Sequence, residues 1–303
     1  MPVEPSAVLG GADVRVFEAN RPPTRDEIVT RASGAEALVT FLSDAVDGPL
    51  LDSLPTVRVV ANFAVGYDNV DVPACTERGV WVTNTPDVLT EATADLTFAL
   101  VLAVARRVRE GERLVRDGRF EGWSPTMLLG LELHGAMLGV FGFGRIGRAV
   151  ARRADAFGMR VIHTGRSSGV PKEELVARSD VVTIHSPLTA ETHHAFDDET
   201  FACTKRGAIL INTARGPIVD EAALVRALER GQLRGAGLDV YEHEPKVHPG
   251  LLARDDVVLL PHLGSATDHT RRRMAEIALE NAAAVLRGED PPNPVNRPSP
   301  RQS

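Results

Sequence analysis

The stretch Leu138 to Arg148, LGVFGFGRIGR, limits what this chain can fold into more than any other. It holds Gly142, Gly144 and Gly147 in a GxGxxG frame. The apolar run Met137–Phe141 before it reads as a buried strand. Over Arg145–Phe157, Ile146, Ala149, Val150 and Ala154 recur at helical spacing. The glycines therefore sit on a strand-to-helix turn, the setting that dinucleotide binding needs. Gly142 permits the tight turn, Gly144 lets backbone approach a pyrophosphate, and Gly147 lets helix and strand pack closely. The phosphates would meet the N–H groups of the new helix at Arg145 and Ile146, at its positive dipole end. A glycine-rich turn without a ligand is the bland alternative; the strand before and helix after favour the cofactor.

Around this turn the chain alternates strand and helix. Strands are expected at Leu138–Phe141, Arg160–His163, Val181–His185, Ala208–Asn212, Gly237–Val240 and Val257–Leu260. Helices fit between them at Arg145–Phe157, Lys172–Arg178, Asp197–Cys203 and Asp220–Arg230. This is an α/β pattern, a doubly wound parallel sheet of Rossmann type. Earlier, Ala37–Phe41, Val57–Ala61 and Val80–Thr83 are short β-rich runs, and Val14–Phe17 is a weaker candidate. Arg25–Arg31 reads as a helix with Thr24 as N-cap. Thr90–Val115 reads as one long helix, apolar on most faces, either crossing between domains or forming a subunit interface. A last helix, Thr267–Arg287, leads into a Pro-rich tail.

The 303 residues suggest two domains. A net charge of −7 argues against a general nucleic-acid binder. No apolar run reaches membrane-spanning length, and no leader pattern opens the chain. Cys75 and Cys203 form no metal or disulfide pattern and read as buried residues of a cytoplasmic protein. The adjacent His193 and His194 cannot share a helix face as metal ligands do, so no metal site is expected.

Ligands of such sheets sit beyond the carboxyl ends of the strands. Three residues there carry chemistry: Arg215 in NTARG, Glu244 in DVYEHEP and His262 in PHLGSAT. Each alone has a structural reading. Together they form a device for carbonyl reduction. An imidazole can pass a proton to a carbonyl oxygen. A carboxylate beside it stabilises imidazolium, and a guanidinium can bind a substrate carboxylate. His185, Pro187, Thr213 and Asp239 stand near the cofactor by position; for His185 packing, and for Asp239 local hydrogen bonding, are the alternatives. Trp123 lies in a Gly/Pro-flanked loop, where it could pack or line a partner's pocket.

Six ordered stretches make a specific resemblance: VGYDNVD at 65–71, VTNTPDVLTEATADL at 82–96, the glycine turn, INTARGPIVDE at 211–221, AGLDVYEHEP at 236–245 and PHLGSAT at 261–267. The chain resembles the D-isomer-specific 2-hydroxyacid dehydrogenase family, in its glyoxylate/hydroxypyruvate reductase branch. The resemblance implies reduction of small 2-oxo acids. Arg215 would orient substrate, Glu244 would pair with the acid/base His262, and the backbone at Val65 and Gly66 would hold the substrate carboxylate. It implies a homodimer involving Thr90–Val115. It also implies a smaller, discontinuous, flavodoxin-like substrate domain at 1–90 and 270–303 beside a dinucleotide domain at 91–269. Family members open with a short interior strand. The start here resembles the loop after it, so that strand is expected to be missing. The rivals are D-3-phosphoglycerate dehydrogenase and a silent dinucleotide-sensing corepressor. The absence of an appended regulatory domain weakens the first, and the retained proton donor weakens the second.

The cofactor's identity turns on the loop after Arg160–His163. In NAD enzymes of this fold an acid about 20 residues past the glycines accepts from the ribose 2′-OH. Here no Asp or Glu occurs between Met159 and Val170, and Arg166 lies 19 residues past Gly147. Arg166, with Ser167 assisting, can bind a 2′-phosphate. NADPH is therefore the expected cofactor, with NADH possible.

Overall fold

The computed structural model describes residues 1–19, 21–165 and 168–298. The chain divides into two compact units, Met1–Leu89 with Ala266–Ser303, and Thr90–Ser265.

The first unit is built on three parallel strands in the order β1-β2-β3: β1 Ala37–Thr40, β2 Val59–Asn62 and β3 Trp81–Thr83. Successive side chains of a strand point to opposite faces, and that alternation sorts the core. Leu38, Val60 and Val82 pack on one face with Leu50, Leu51 and Cys75 from the helices Gly48–Asp52 and Val72–Glu77. Val59 and Ala61 face the other way, against Ala282 and Val285 of the helix Asp268–Leu286. The C-terminal helix is thus half of this unit's core, which is why the unit is discontinuous. The tail then closes the edge of β3: Val82 N–H donates to Asn296 Oδ1 (2.7 Å) and Val295 N–H to Val82 O (2.8 Å). Covering the edge removes a pairing site for other chains.

The helix Arg25–Arg31 carries a full capping box, Thr24 with Glu27. Val14–Phe17 is not a strand. Side-chain bonds tie the stretch down instead: Arg31 donates to Val16 O, and the Arg15 side chain donates to Arg31 O and Ser33 O. Among the described residues none before Ala37 is in a strand; Pro5–Leu9 is a short helix packed on Asp268–Leu286.

The second unit holds six parallel strands: β4 Met137–Phe141, β5 Arg160–Thr164, β6 Val181–Ile184, β7 Ala208–Asn212, β8 Leu233–Leu238 and β9 Val257–Leu259. Their order is β5-β4-β6-β7-β8-β9. β4 is flanked by β5 on one side and β6 on the other, so the winding reverses there. β6 and β7 are buried at every residue, as strands covered on both faces must be. Leu138, Val140, Val181, Ile209 and Ile211 pack with the helices Thr90–Ala105 and Arg145–Ala156. Val182, Ile184, Leu210 and Leu238 pack on the opposite face.

Thr90–Val115 is two helices, Thr90–Ala105 and Val108–Arg116, broken where Arg107 turns left-handed at φ 53°. The first half is a core helix of this unit, against β7 and β8; the second has no buried residue and exposes Val108 and Val115. Cys203 is exposed, whereas Cys75 is buried, and burial pushes its thiol up to about 12. No helix among the described residues is long and apolar enough to cross a membrane.

Candidate active site

The glycine turn follows β4 at the winding reversal. Gly142 has φ 98°, and a Cβ there would fall 2.5 Å from Ser186 N. A Cβ on Gly147 would fall 2.3 Å from Gly142 O, so the helix Arg145–Ala156 can lie against the turn only with glycine there. Gly144 differs: a Cβ would meet nothing within 4 Å. Protein packing does not require glycine at 144, but approach by a ligand does. Gly144 is also the helix N-cap and makes no side-chain cap bond. The first turn of the helix thus meets the needs of a pyrophosphate. This bare turn suits the pyrophosphate of a dinucleotide, which Gly142, Gly144, Arg145, Ile146 and Gly147 would hold.

Arg215, Glu244 and His262 are brought together beyond β7, β8 and β9. His262 Nδ1 lies 3.1 Å from Glu244 Oε2. Burial raises the Glu244 carboxyl, but the hydrogen bond and charge of His262, the Tyr241 N–H and the charge of Arg215 outweigh burial and hold it below its ordinary range. Glu244 is therefore ionised and can only accept, so Nδ1 carries the proton and Nε2 is directed away from the pair. His262 sits at φ 56°, an uncommon conformation for a residue with a Cβ.

Asp239, at the end of β8, enforces that conformation. Its backbone carbonyl accepts from His262 N–H at 2.9 Å. Its carboxylate accepts from Leu263 N–H (2.6 Å) and Gly264 N–H (2.8 Å). The side chain is fully buried, and burial raises its pKa against the pull of those N–H groups and of His262. The structure thus gives Asp239 a local hydrogen-bonding role. Tyr241 donates its hydroxyl to Leu260 O and its N–H to Glu244 Oε1. Burial, then the charges of Asp239, Glu244 and Glu221, push its phenol up to about 12. Asn212 shapes the Arg215 turn, donating to Arg215 O and accepting from Ala214 N–H. Gly216 lets that turn touch the Glu244 loop: a Cβ there would lie 1.8 Å from Tyr241 C and O.

Other candidates separate. His185 Nε2 lies 2.9 Å from Thr183 Oγ1, and burial pushes the ring down to about 3, so the ring is neutral. Pro187 is exposed, and its carbonyl accepts from Thr192. Thr213 is buried, its hydroxyl 2.9 Å from that of Thr97. Val65 and Gly66 lie in the first unit, where Asn84 and Asn62 donate to their carbonyls. His193 stacks on His194, which pairs with Glu242. Trp123 is 83% exposed and so does not pack as a core residue. Arg166 and Ser167 lie outside the described residues. Beside them, His163 stacks on Phe143 of the glycine turn at 3.8 Å, and Arg148 lies over the same ring.

Sequence reasoning gave no role to Glu221 and Glu242, and weighed His194 only as a metal ligand. Glu242 Oε1 lies 2.7 Å from His194 Nε2, and Glu221 and Glu242 each accept the other's backbone N–H. Only the run VDE before a helix marks Glu221, and it reads as ordinary first-turn acid.

The sequence profile of the D-isomer specific 2-hydroxyacid dehydrogenase NAD binding domain matches residues 98–264. A glyoxylate reductase of Korarchaeum cryptofilum (strain OPF8) is 47% identical over 299 residues, covering 94% of this chain and 90% of its own. The crystal structure of the TT0316 protein from Thermus thermophilus matches with TM-score 0.92 at 49% identity, over 96% of each chain. The NADPH-dependent glyoxylate/hydroxypyruvate reductase of Sinorhizobium meliloti, in complex with NADP and malonate, matches with TM-score 0.81 at 38% identity, over 90% of this chain and 91% of that one.

Proposed function

Because this chain belongs to the D-isomer specific 2-hydroxyacid dehydrogenase family, we propose that it reduces small 2-oxo acids, chiefly glyoxylate and hydroxypyruvate, to 2-hydroxy acids. The observation that carries this reading is the 3.1 Å contact of His262 with an ionised Glu244 that also feels the charge of Arg215. When bound, a reduced nicotinamide dinucleotide supplies hydride to the substrate's carbonyl carbon.

The chain's own residues do the rest. His262 gives the proton from Nε2 to the carbonyl oxygen. Glu244 keeps Nδ1 protonated and offsets the positive charge of the imidazolium. Arg215 binds the substrate carboxylate by a charged fork and draws electron density from the carbonyl. The reading includes a preference for NADPH, supported by Arg166 and by the lack of any acid between Met159 and Val170. It also includes a homodimer, supported by exposed Val108, Val115, Phe120, Trp123 and Leu129 in one stretch of chain. Sedimentation as a monomer at assay concentration would exclude the dimer.

Steady-state turnover of glyoxylate and hydroxypyruvate with each reduced cofactor tests the activity. Turnover of both acids is expected, faster with NADPH. No turnover of either acid with either cofactor would overturn the reading.

A further inference from the structure

We propose that Glu221 is a positioning residue for reduction: it staples both ends of the loop that carries Glu244, and so sets where that carboxylate stands against His262. The inference rests on the acid/base reading above and deepens it.

Glu221 is 5% exposed, at the first position of the helix Glu221–Glu229. That helix already has a cap, since Asp220 accepts from Ala223 N–H at 2.9 Å. The Glu221 carboxylate turns to the loop instead. Oε1 accepts from Glu242 N–H and Oε2 from His248 N–H, both at 3.0 Å. These two bonds bracket residues 242–248, with Glu244 between them. Glu242 answers by accepting Glu221 N–H through Oε2 (3.2 Å), while its Oε1 pairs with His194. The loop is thus closed from both sides by a carboxylate in a fixed place.

Just before the closed loop, Tyr241 N–H holds Glu244 Oε1 at 3.1 Å, which leaves Oε2 for His262. Hydrogen bonds from backbone N–H to a carboxylate are among the stronger ones. Removing the Glu221 carboxylate leaves two donors of the loop without their acceptor and lets its ends part. Glu244 then loses its alignment, not its identity. Tyr241, Glu242, His194, His243 and His248 face this network, and the charges of Asp239 and Arg215 act on Tyr241 and Glu244 within it.

The test compares Glu221→Ala and Glu221→Gln with Glu244→Gln, reading glyoxylate reduction against pH and NADPH binding by fluorescence titration. Misplacement of about 1 Å can cost roughly 10²-fold in rate, and Glu221→Ala is expected to lower kcat to that order with NADPH affinity unchanged. The alkaline limb of reduction should move to lower pH, in the direction expected when Glu244 is neutralised. Glu221→Gln keeps one acceptor and should shift the limb less. A limb at the wild-type position in both variants overturns the proposal; if the alanine variant does not fold, the glutamine variant alone decides. If Glu244→Gln itself leaves the limb in place, the acid/base reading has failed. If only the Glu221 variants leave it in place, the stapling proposal alone has failed.

Discussion

The glycine turn after β4 and the loops after β7, β8 and β9 stand at the same end of one parallel sheet, yet they are held in opposite ways. The turn is made by what is missing: Gly142 and Gly147 would each drive a Cβ to 2.5 Å or less from a neighbouring backbone atom. The loops of the candidate site are made by what is added. Buried carboxylates of Asp239 and Glu221, and the partly buried Glu242, reach across 21 to 27 residues of sequence to hold backbone N–H groups. A binding cradle for phosphate needs bare backbone N–H groups, so side chains are excluded from it. A proton-transfer pair needs two side chains fixed against each other, so other side chains must fix them.

The largest expected effect is at His262. Proton transfer by a placed side chain contributes roughly 10²–10⁴-fold, and His262→Asn should lower kcat by about that much. NADPH binding, measured by fluorescence titration, should be unchanged because the cradle is a separate construction. Loss of both together would break the contrast.

Arg166 comes next. A hydrogen bond to a charged group is worth about 1.5–3 kcal/mol, roughly 10- to 150-fold in affinity. Arg166→Ala should therefore weaken NADPH by that order and NADH little, and salt should narrow the difference. Equal specificity constants for the two cofactors in the unmutated protein would remove the assignment.

Two glycines sharpen the comparison directly. Gly216→Ala places a Cβ 1.8 Å from Tyr241 C and O and should cost about 1–3 kcal/mol of stability by overpacking. Thermal unfolding should register it. Gly144→Ala meets no protein atom within 4 Å and should leave Tm unchanged while weakening dinucleotide binding. A fall in Tm for Gly144→Ala, with affinity intact, would show that Gly144 serves packing.

The same difference explains what could be read from the chain alone. A glycine frame between an apolar strand and a helical pattern is local, so Gly142, Gly144 and Gly147 were visible. So were Arg215, Glu244 and His262, because each follows a recognisable strand. β8 begins at Leu233, four residues before the expected Gly237; the weak strand preference of Gly235 and Ala236 hid that start. The break at Arg107 was hidden because an arginine carries no sign of a left-handed turn. Glu221 and Glu242 were hidden because their partners are distant in sequence, and a carboxylate gives no sign of which N–H it will meet.

In the proposed reaction the Glu244 carboxylate, 3.1 Å from His262, stabilises the protonated ring. The direct measurement is kcat/KM for glyoxylate against pH, in the unmutated protein and in Glu244→Gln. The proposed reduction needs a protonated donor, and replacing its carboxylate partner by a neutral amide disfavours imidazolium. The alkaline limb of Glu244→Gln should therefore lie at lower pH than that of the unmutated protein. Two limbs that superimpose would contradict the pairing.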